Sequence, residues 1–283
     1  MPLFSIIVKY MIIGIDIGST TTKAVALEEN DVIKMVKTRA IDAITAATGA
    51  LGKIIIENNI NMPDIKRIVI TGAGSSKIST NLFGIPTEQI DEFTAIGAGG
   101  MFLSKQDNII ITNIGTGTVI IEASKKKISH FGGTGVGGGT IMGLSKKLLM
   151  IDNFDDLIHL AANGDLKQID LLISDITNTE LGFLNKAATA ANFGKMLGTA
   201  SQEDLAIGIF NLVYQVIGML SVFAARNKNL NHIIVTGSGS NNPIGKNILS
   251  TITLMYGIEF EYPKDAEYTT AIGAALTCKN GSH

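Results

Sequence analysis

The feature that most constrains the fold of this chain is an internal repeat. Residues 68–75 read IVITGAGS, and residues 233–240 read IIVTGSGS. A second, looser match precedes each of them, because residues 15–20 read IDIGST and residues 113–118 read NIGTGT. A single apolar strand that ends in a glycine turn is common in α/β proteins. Two matches in the same order favour a duplicated α/β core with a cleft between its two halves.

Glycine is unusually frequent for a chain with so little proline. The 283 residues include 31 glycines and five prolines, and 17 % are charged while 46 % are hydrophobic. Disordered chains are rich in proline and charge, so this composition predicts a folded protein that buries a large core. The length suits one large domain or two of ordinary size, and we expect the glycines in turns and ligand-binding loops.

Charge and cysteine content exclude several classes of protein. The net charge is −2, so no nucleic-acid partner is expected. The single cysteine, Cys278, excludes an intramolecular disulfide framework and a multi-cysteine metal or iron–sulfur site, and the composition fits a reduced, cytoplasmic protein. The apolar residues 4–15 contain Lys9 and are shorter than the ~20 residues of a membrane span, so no membrane partner is expected. Met11 is a second candidate start, which would make residues 1–10 an upstream extension.

Hydrophobic periodicity predicts the same order of elements in both halves. Each half opens with a strand, a glycine turn and two further strands, and later has a strand that runs into a Gly-x-Gly-Ser turn. We therefore place an N-terminal α/β domain at residues 1–107 and a C-terminal α/β domain with a helical insertion at residues 108–283. The predicted strands cover residues 11–17, 23–29, 32–38, 67–71, 108–113, 119–122, 127–131, 233–236 and 258–262. The predicted helices cover residues 41–60, 91–102, 140–150, 203–226, 243–256 and 269–278, with short helices in 153–198.

The turn between the first two predicted strands has the residues that a phosphate-binding hairpin needs. Gly18 lets the backbone approach a phosphate closely, and the hydroxyls of Ser19 and Thr20 can donate to its oxygens. Lys23 adds positive charge, and Asp16 can hold Mg²⁺, which takes one or two carboxylates and keeps several waters. The alternative is an ordinary hairpin whose aspartate accepts hydrogen bonds from backbone amides.

A run of six glycines within residues 132–139 leads directly into a predicted helix. Helix N-termini expose unpaired N–H groups and bind anions, so this run is a candidate nucleotide loop. It is neither a dinucleotide-binding fingerprint nor a P-loop, because no Gly-Lys-Ser/Thr follows and the glycine spacing differs. A flexible surface linker is the alternative, and the apolar helix that follows argues against it.

Glu92 opens a predicted helix for which Asp91 is the expected N-cap. The helix dipole favours an ionised carboxylate at this position. A carboxylate in a cleft can accept the proton of a substrate hydroxyl that attacks a γ-phosphate. Acidic residues are also common in first turns for structural reasons alone, so the residues by themselves leave both interpretations open.

Together these motifs resemble the superfold shared by acetate and sugar kinases, Hsp70 and actin, which implies duplicated ribonuclease H-like domains around an interdomain cleft. Within that superfold, the chain between residues 11 and 276 is similar to the type II (eukaryotic-like) pantothenate kinases. The first motif is shared by many members of the superfold, whereas the later motifs are more specific. The resemblance rests on GIDIGST at 14–20 with Lys23, DEF at 91–93 with Ala95, NIGTGT at 113–118, the glycine run with GGGTIMGL at 137–144, TAANFG at 189–194 and AIGA at 271–274.

The resemblance implies a reaction and a role for each matching residue. The reaction is the ATP- and Mg²⁺-dependent phosphorylation of the primary hydroxyl of pantothenate, the first step of coenzyme A biosynthesis. The enzyme would be a homodimer, with the long apolar helix at residues 205–225 as an interface element. The resemblance makes Glu92 the catalytic base and Asp16 the magnesium ligand. The implied nucleotide-binding residues are Asp16, Gly18, Ser19, Thr20, Lys23, Gly137, Gly138, Gly139, Ser238 and Ser240, and the implied substrate-binding residues are Thr116, Gly117, Thr118 and His130.

His130 departs from the family pattern, which has a substrate-binding arginine at this position, two residues before the Gly-Gly pair. An imidazole cannot form the two parallel hydrogen bonds that a guanidinium forms with a carboxylate. Lys126 lies four residues earlier on the same strand face, roughly 13 Å away, and is a poor substitute. The resemblance therefore supports the phosphoryl-transfer chemistry more strongly than the acceptor, and pantetheine or another pantoyl compound is the alternative acceptor.

A further alternative is a protein without kinase activity. The activators of dehydratases share the opening GIDIGSTTTK at residues 14–23, so a nucleotide-binding sensor or an ATPase activator of a partner enzyme is also consistent with the motif. The iron–sulfur cluster that bridges the subunits of those activators needs more cysteines than the lone Cys278. A kinase predicts that Glu92→Ala abolishes turnover with nucleotide binding retained, and a sensor predicts no change.

Overall fold

The computed structural model describes residues 10–29, 31–40, 42–177 and 186–278 as an α/β protein with two five-stranded sheets and one short two-stranded sheet. The strands are β1 (Met11–Ile17), β2 (Thr21–Glu28), β3 (Asp31–Arg39), β4 (Ile65–Thr71), β5 (Thr87–Gln89), β6 (Ile109–Ile114), β7 (Thr118–Ala123), β8 (Ile128–Thr134), β9 (Leu171–Leu172), β10 (Thr189–Ala191), β11 (His232–Thr236) and β12 (Glu259–Glu261). The helices are α1 (Ala43–Glu57), α2 (Glu92–Ser104), α3 (Gly138–Leu148), α4 (Phe154–Ala161), α5 (Ile173–Ile176), α6 (Gln202–Asn227), α7 (Pro243–Tyr256) and α8 (Thr269–Leu276).

The two five-stranded sheets have the same strand connectivity. The first has the order β3-β2-β1-β4-β5, and the second has the order β8-β7-β6-β11-β12. In each sheet three consecutive strands lie side by side, a later strand joins the first of them, and a short edge strand follows. β1 pairs antiparallel with β2 and parallel with β4, and β11 pairs parallel with β12. The repeated segments therefore occupy the equivalent strands β4 and β11, and the predicted duplication is confirmed.

The first sheet buries both of its faces. On one face Ile13, Ile15 and Ile17 of β1 pack against α1. On the other face Val25 of β2 packs against α8, and a Cβ at Gly14 of β1 would lie only 2.0 Å from the carbonyl oxygen of Ala271 in that helix. Because side chains alternate along a strand, Asp16 and Lys23 belong to the face that α8 covers.

α6 is the longest helix in the described part of the chain and matches the helix predicted at residues 203–226, and a long stretch of its surface is buried. Ser201 caps its N-terminus by accepting a hydrogen bond from the backbone N–H of Asp204. The buried hydroxyls of Thr112 and Ser221 hydrogen-bond at 2.8 Å and attach the helix to β6. Among the described residues it is the one helix long and apolar enough to cross a membrane, and 61 % of its most apolar 18-residue window is buried within the fold. Such burial is typical of a core helix.

The described residues form two compact units. The first contains the described residues of Met1–Ile111, Ile121–His130 and Pro263–His283, and the second contains Thr112–Ile120 and the described residues of Phe131–Tyr262. The chain thus returns to the first unit near its C-terminal end, where α8 packs on β1, β2 and β4. The domain boundary between residues 107 and 108 stays a prediction.

The structure differs from the predicted elements at short strands and at the glycine run. β5, β9 and β10 have only two or three residues each, so hydrophobic periodicity does not detect them. The prediction of short helices throughout residues 153–198 is therefore wrong in part, and residues 178–185 of that stretch lie outside the described residues. β8 continues through Gly132 to Thr134, and α3 begins at Gly138. The glycine run is thus partly strand and partly helix start.

Candidate functional site

Four side chains form a row across the first sheet where β1 ends. Strand pairing places Lys23 of β2 and Thr71 of β4 opposite Asp16, one on each side. Lys37 of β3 lies opposite Lys23 and extends the row. Directly opposite residues project from the same face of a sheet, so the strand register alone brings the predicted Asp16 and Lys23 side by side.

Asp16 and Lys23 carry opposite charges and change each other's pKa. Burial raises the pKa of Asp16 to about 6, the Lys23 ammonium acts in the opposite direction, and the Glu92 carboxylate raises the pKa further. Lys23 is only 6 % exposed; burial lowers its pKa, while the carboxylates of Asp16 and Glu267 raise it. Groups whose pKa values are shifted by burial and by a specific charged neighbour are concentrated at functional sites.

Glu92 begins α2, and Asp91 caps the helix as predicted. An oxygen of the Asp91 carboxylate accepts hydrogen bonds from the backbone N–H of Thr94 at 2.8 Å and from its hydroxyl at 2.9 Å. Burial, and secondly the charge of Asp91, raises the pKa of Glu92. Because the charge of Glu92 also acts on Asp16, these two carboxylates lie near each other in the first unit. A raised pKa makes the Glu92 carboxylate a stronger proton acceptor.

Thr71 has a buried hydroxyl without a hydrogen-bond partner among the described residues. The equivalent Thr236 of the second sheet donates its hydroxyl to Asn113 Oδ1 at 3.0 Å. Buried hydroxyls normally have partners, so this one is available to bind a group that the described residues do not supply. Mg²⁺ binds through one or two carboxylates with waters and phosphate oxygens, and Asp16 beside the Thr71 hydroxyl fits such a site. The described residues contain no cluster of three or more acidic, histidine or cysteine side chains that would hold a metal by themselves.

The turn after β4 approaches the Asp16 side chain closely. Gly72 has φ of +86°, and a Cβ there would lie 2.6 Å from Asp16 Oδ1. The equivalent Gly237 after β11 has φ of +80°, and its Cβ would lie 2.8 Å from Asn113 Oδ1. Only glycine combines this backbone conformation with the available space. The two copies of the repeat thus share a glycine turn that packs against a polar residue of the central strand.

His130 stacks on Phe93, the residue that follows Glu92 in α2. The two ring centroids are 4.5 Å apart and the ring planes differ by 8°. His130 is exposed and Phe93 is half-buried. The predicted substrate residue is therefore held against the first turn of the helix that carries the predicted base, through a contact that the sequence does not predict.

In the second unit, the glycine run packs against the hairpin turn between β6 and β7. The backbone N–H groups of Gly138 and Gly139 donate to the carbonyl oxygens of Gly115 and Thr116, each at 2.9 Å. A Cβ on Gly137 would lie 2.6 Å from the carbonyl oxygen of Thr116. The Gly137 N–H donates to the Thr140 hydroxyl at 3.2 Å, so the backbone N–H groups of all three glycines already bind within the protein. The close approach at Gly137 leaves no room for a side chain there.

The predicted substrate residues of this hairpin turn differ in accessibility. Thr118 is buried, and its hydroxyl donates to the carbonyl oxygen of Val136 at 2.9 Å. A Cβ on Gly117 would lie 3.0 Å from the carbonyl oxygen of Thr134. Thr116 is exposed. Of the three, Thr116 therefore presents its side chain to solvent, whereas Gly117 and Thr118 shape the turn.

The turn after β11 contains the two serines predicted to contact adenosine. Ser240 is buried, and its hydroxyl donates to the carbonyl oxygen of Gly237 at 2.7 Å. The Tyr214 hydroxyl of α6 donates to the carbonyl oxygen of Gly239 at 2.9 Å. Ser238 is exposed. Ser240 therefore shapes the turn, and Ser238 is the accessible serine.

The predicted site residues fall into one group in each compact unit. In the first unit the turn after β1 is closed by a hydrogen bond from the Gly18 N–H to the carbonyl oxygen of Thr21 at 3.1 Å, and Ser19 and Thr20 are exposed. The first group is Asp16, Gly18, Ser19, Thr20, Lys23, Glu92 and His130. The second group is Thr116, Gly117, Thr118, Gly137, Gly138, Gly139, Ser238 and Ser240.

Asp170, a residue for which the sequence predicts no role, is fully buried and holds the TAANFG motif. Its carboxylate accepts hydrogen bonds from the Thr189 hydroxyl at 3.1 Å and from the Phe193 backbone N–H at 2.8 Å. It also accepts from the side-chain amides of Asn192 at 3.3 Å and Asn211 at 2.6 Å. The motif is thus fixed to α6 through one carboxylate, and no local sequence pattern links these distant positions.

Comparison with known sequences identifies relatives over nearly the whole chain. The family model described as Fumble matches residues 104–277. A protein of Bacillus cereus (strain G9842) named type II pantothenate kinase is 37 % identical over 276 residues, which are 93 % of this chain and 97 % of that protein.

Comparison with solved structures identifies the fold. The activator of the 2-hydroxyisocaproyl-CoA dehydratase from Clostridium difficile with bound ADPNP has a TM-score of 0.69 and 20 % identity, and the match covers 94 % of this chain and 93 % of that one. A ROK family glucokinase from Streptomyces griseus in complex with glucose and AMPPNP has a TM-score of 0.59 and 12 % identity, with coverage of 96 % and 100 %. These likenesses confirm the predicted class of duplicated α/β domains. By its family match and its sequence relatives, the chain belongs to the Fumble family, that of the type II pantothenate kinases.

Proposed function

We propose that this protein is an ATP-dependent kinase that phosphorylates the primary hydroxyl of pantothenate, the first step of coenzyme A biosynthesis. The observation that carries the proposal is the grouping of Asp16, Lys23 and Glu92 in a chain 37 % identical to a protein named type II pantothenate kinase. The three side chains supply a cation ligand, a positive charge and a proton acceptor. Solved structures of the same fold with bound ATP analogues support ATP as the phosphoryl donor.

Glu92 is the proposed proton acceptor of the transfer step. The hydroxyl oxygen of the acceptor forms a bond to the γ-phosphorus, and the bond from that phosphorus to the β,γ-bridging oxygen breaks. ADP leaves with the electron pair of the broken bond, and the hydroxyl proton moves to Glu92. Burial raises the pKa of Glu92 and strengthens it as a base, while its position in the first turn of α2 favours the ionised form that must accept the proton.

Asp16 is the proposed ligand of Mg²⁺, with the unpartnered Thr71 hydroxyl beside it. When bound, the ion would neutralise charge on the phosphate oxygens of the nucleotide. Lys23 contributes a second, buried positive charge next to Asp16. The exposed hydroxyls of Ser19 and Thr20 are proposed to donate hydrogen bonds to phosphate oxygens.

The second group of site residues is proposed to bind the nucleotide and part of the acceptor. Exposed Ser238 supports an adenosine contact, and exposed Thr116 supports an acceptor contact. The remaining members are proposed to act through the shape of their backbone, because backbone or hydroxyl groups of each already hydrogen-bond within the protein. These members are Gly117, Thr118, Gly137, Gly138, Gly139 and Ser240.

His130 is proposed to contact the acceptor from the first unit. Its ring is exposed and oriented by the stack on Phe93, which follows the proposed base in sequence. A ring N–H can donate one hydrogen bond to a carboxylate such as that of pantothenate. Pantetheine, the alternative acceptor, has no carboxylate to receive it.

The cytoplasmic location and the homodimer are further parts of the proposal. The homodimer follows from the family resemblance, with α6 as its interface element, and the exposed Phe223 on that helix supports it. A non-catalytic sensor or activator is not favoured, because the sequence relatives are named kinases and the likeness to a dehydratase activator extends to the fold alone.

The proposal is tested by measuring ADP formation with pantothenate and with pantetheine, each with and without Mg²⁺. Wild-type protein is expected to show saturable, Mg²⁺-dependent turnover of pantothenate. Glu92→Gln is expected to lower kcat by roughly two to four orders of magnitude while it keeps its affinity for AMPPNP. The exposed Glu57→Gln is the matched control and is expected to keep full activity. Turnover of pantetheine without pantothenate would contradict the acceptor, and an active Glu92→Gln would contradict the base.

A further inference from the structure

Glu267 has no role in the proposed function, yet it reaches the same row of side chains. It lies in the short 3-10 turn Ala266–Tyr268 just before α8, and this turn packs against β2. Its carboxylate accepts a hydrogen bond from Lys37 Nζ at 2.7 Å. The Glu267 side chain is only 14 % exposed, whereas that of Lys37 is 45 % exposed. The ion pair therefore reaches from solvent towards the covered face of the sheet.

The row contains two lysines directly opposite each other, Lys23 and Lys37. Like charges at directly opposite positions of a sheet destabilise the pair. Lys23 is nearly buried, and a buried ammonium needs carboxylate partners to offset the loss of water. The carboxylates whose charges raise the pKa of Lys23 are those of Asp16 and Glu267, and Lys37 acts against them.

We infer that Glu267 is a positioning residue for Lys23: by binding Lys37, it offsets the repulsion that would otherwise drive the Lys23 ammonium away from Asp16. The inference rests on the proposed role of Lys23 in nucleotide binding. Glu267 acts only through Lys23 and touches neither the nucleotide nor the acceptor. Its contribution is to keep a buried positive charge fixed before the nucleotide arrives.

The test measures the affinity for AMPPNP in the presence of Mg²⁺ by titration calorimetry. Glu267→Gln keeps the size of the side chain and removes its charge, and it is expected to weaken binding by about three- to tenfold. Glu88→Gln is the matched control, because Glu88 also pairs with a basic residue of the first unit, Arg67, but stands outside the row. Its affinity for AMPPNP is expected to equal that of the wild-type protein.

A rescue experiment separates positioning from a merely structural role. Adding Lys37→Met to Glu267→Gln removes the repelling charge, and the double variant is expected to bind AMPPNP with the affinity of the wild-type protein. The double variant also decides the question if Glu267→Gln alone does not fold, because a tenfold loss in it would overturn the inference. In a Lys23→Met background, Glu267→Gln is expected to cause no additional loss.

The outcomes distinguish this inference from the proposed function. A wild-type protein that does not bind AMPPNP would overturn the proposed function, and the inference with it. Wild-type binding with unchanged affinity in Glu267→Gln would overturn the inference alone. The inference alone would also be overturned if Lys37→Met does not restore the affinity for AMPPNP, or if Glu267→Gln still lowers that affinity in the Lys23→Met background.

Discussion

Replacing Asp16 with asparagine is expected to stabilise the folded protein while it removes the proposed cation ligand. Burial raises the pKa of this carboxyl from 3.8 to about 6 in the folded protein. The folded state therefore binds the Asp16 proton more tightly than the unfolded state does, and ionisation costs folding free energy as the pH rises from about 4 through 6. Asparagine has nearly the same size and never ionises, so it avoids this cost.

The expected gain follows from the two pKa values. Above pH 7 both states are ionised at this position, and the shift from 3.8 to about 6 corresponds to at most about 3 kcal/mol of unfolding free energy. At pH 5 the expected gain is about 1.5 kcal/mol, and at pH 4 it is about 0.5 kcal/mol, because Asp16 is then mostly protonated in the folded state. The gain of Asp16→Asn is thus largest at neutral pH and above.

Urea unfolding at pH 4, 5 and 7.5, followed by far-UV circular dichroism, measures the gain in a chain that has no tryptophan. Asp91→Asn is the control, because asparagine caps a helix as well as aspartate does and is expected to change stability by less than about 0.5 kcal/mol. A less stable Asp16→Asn at pH 7.5, or a gain that is independent of pH, would refute the reasoning and show that the attraction of Lys23 exceeds the cost of burial. The same variant is expected to lose Mg²⁺-dependent binding of AMPPNP.

Three further variants test other parts of the structure. Gly237→Ala is expected to cost roughly 3 kcal/mol in urea unfolding, because φ is +80° and a Cβ would lie 2.6 Å from a carbonyl oxygen. Gly257→Ala is the control, with φ of +68° and open space around it, and is expected to cost only about 1 kcal/mol. Equal costs for the two variants would contradict the crowding argument. Asp204→Asn is expected to destabilise the folded protein by about 1–3 kcal/mol at pH 7.5, because backbone hydrogen bonds to the carboxylate lower the pKa of Asp204. This loss of stability should vanish as the pH falls through that lowered pKa. A loss that does not depend on pH would contradict the reasoning. His130→Arg is expected to lower the KM for pantothenate about tenfold in steady-state assays, because a guanidinium binds a carboxylate through two hydrogen bonds. The KM for pantetheine is expected to stay unchanged. An equal effect on both acceptors would exclude carboxylate recognition.

The repeat made most of the architecture predictable from the sequence. An apolar strand followed by TGAG or TGSG requires a glycine turn, and φ is positive at both Gly72 and Gly237. The N-cap at Asp91 was predictable for a similar reason, because its short acidic side chain can accept from the free N–H groups of the helix. Even the neighbourhood of Asp16 and Lys23 follows from a hairpin with a short turn, once the pairing of β1 with β2 is assumed.

The remaining features depend on contacts between distant positions, which no local pattern encodes. Glu267 reaches Lys37 only because α8 returns to the first sheet, and His130 meets Phe93 only after β8 has paired. The glycine run misled the prediction of element bounds, since glycine is depleted in strands but Gly132 lies within β8. Its use in packing against the hairpin turn between β6 and β7 depends on distances that only the folded backbone provides.

The position of α8 has a consequence for the synthesis of the protein. β1 and β2 are made well before α8, yet the face of their sheet that includes Val25 is covered by this helix, which ends at Leu276. At about 5–20 residues per second, roughly 12–50 s of translation separate the synthesis of β2 from that of α8. During that time the nascent chain carries an uncovered apolar surface that chaperones or other nascent chains can bind. This face of two early strands is thus covered only after α8 has been made, and a chain truncated before α8 would expose it and be prone to aggregate.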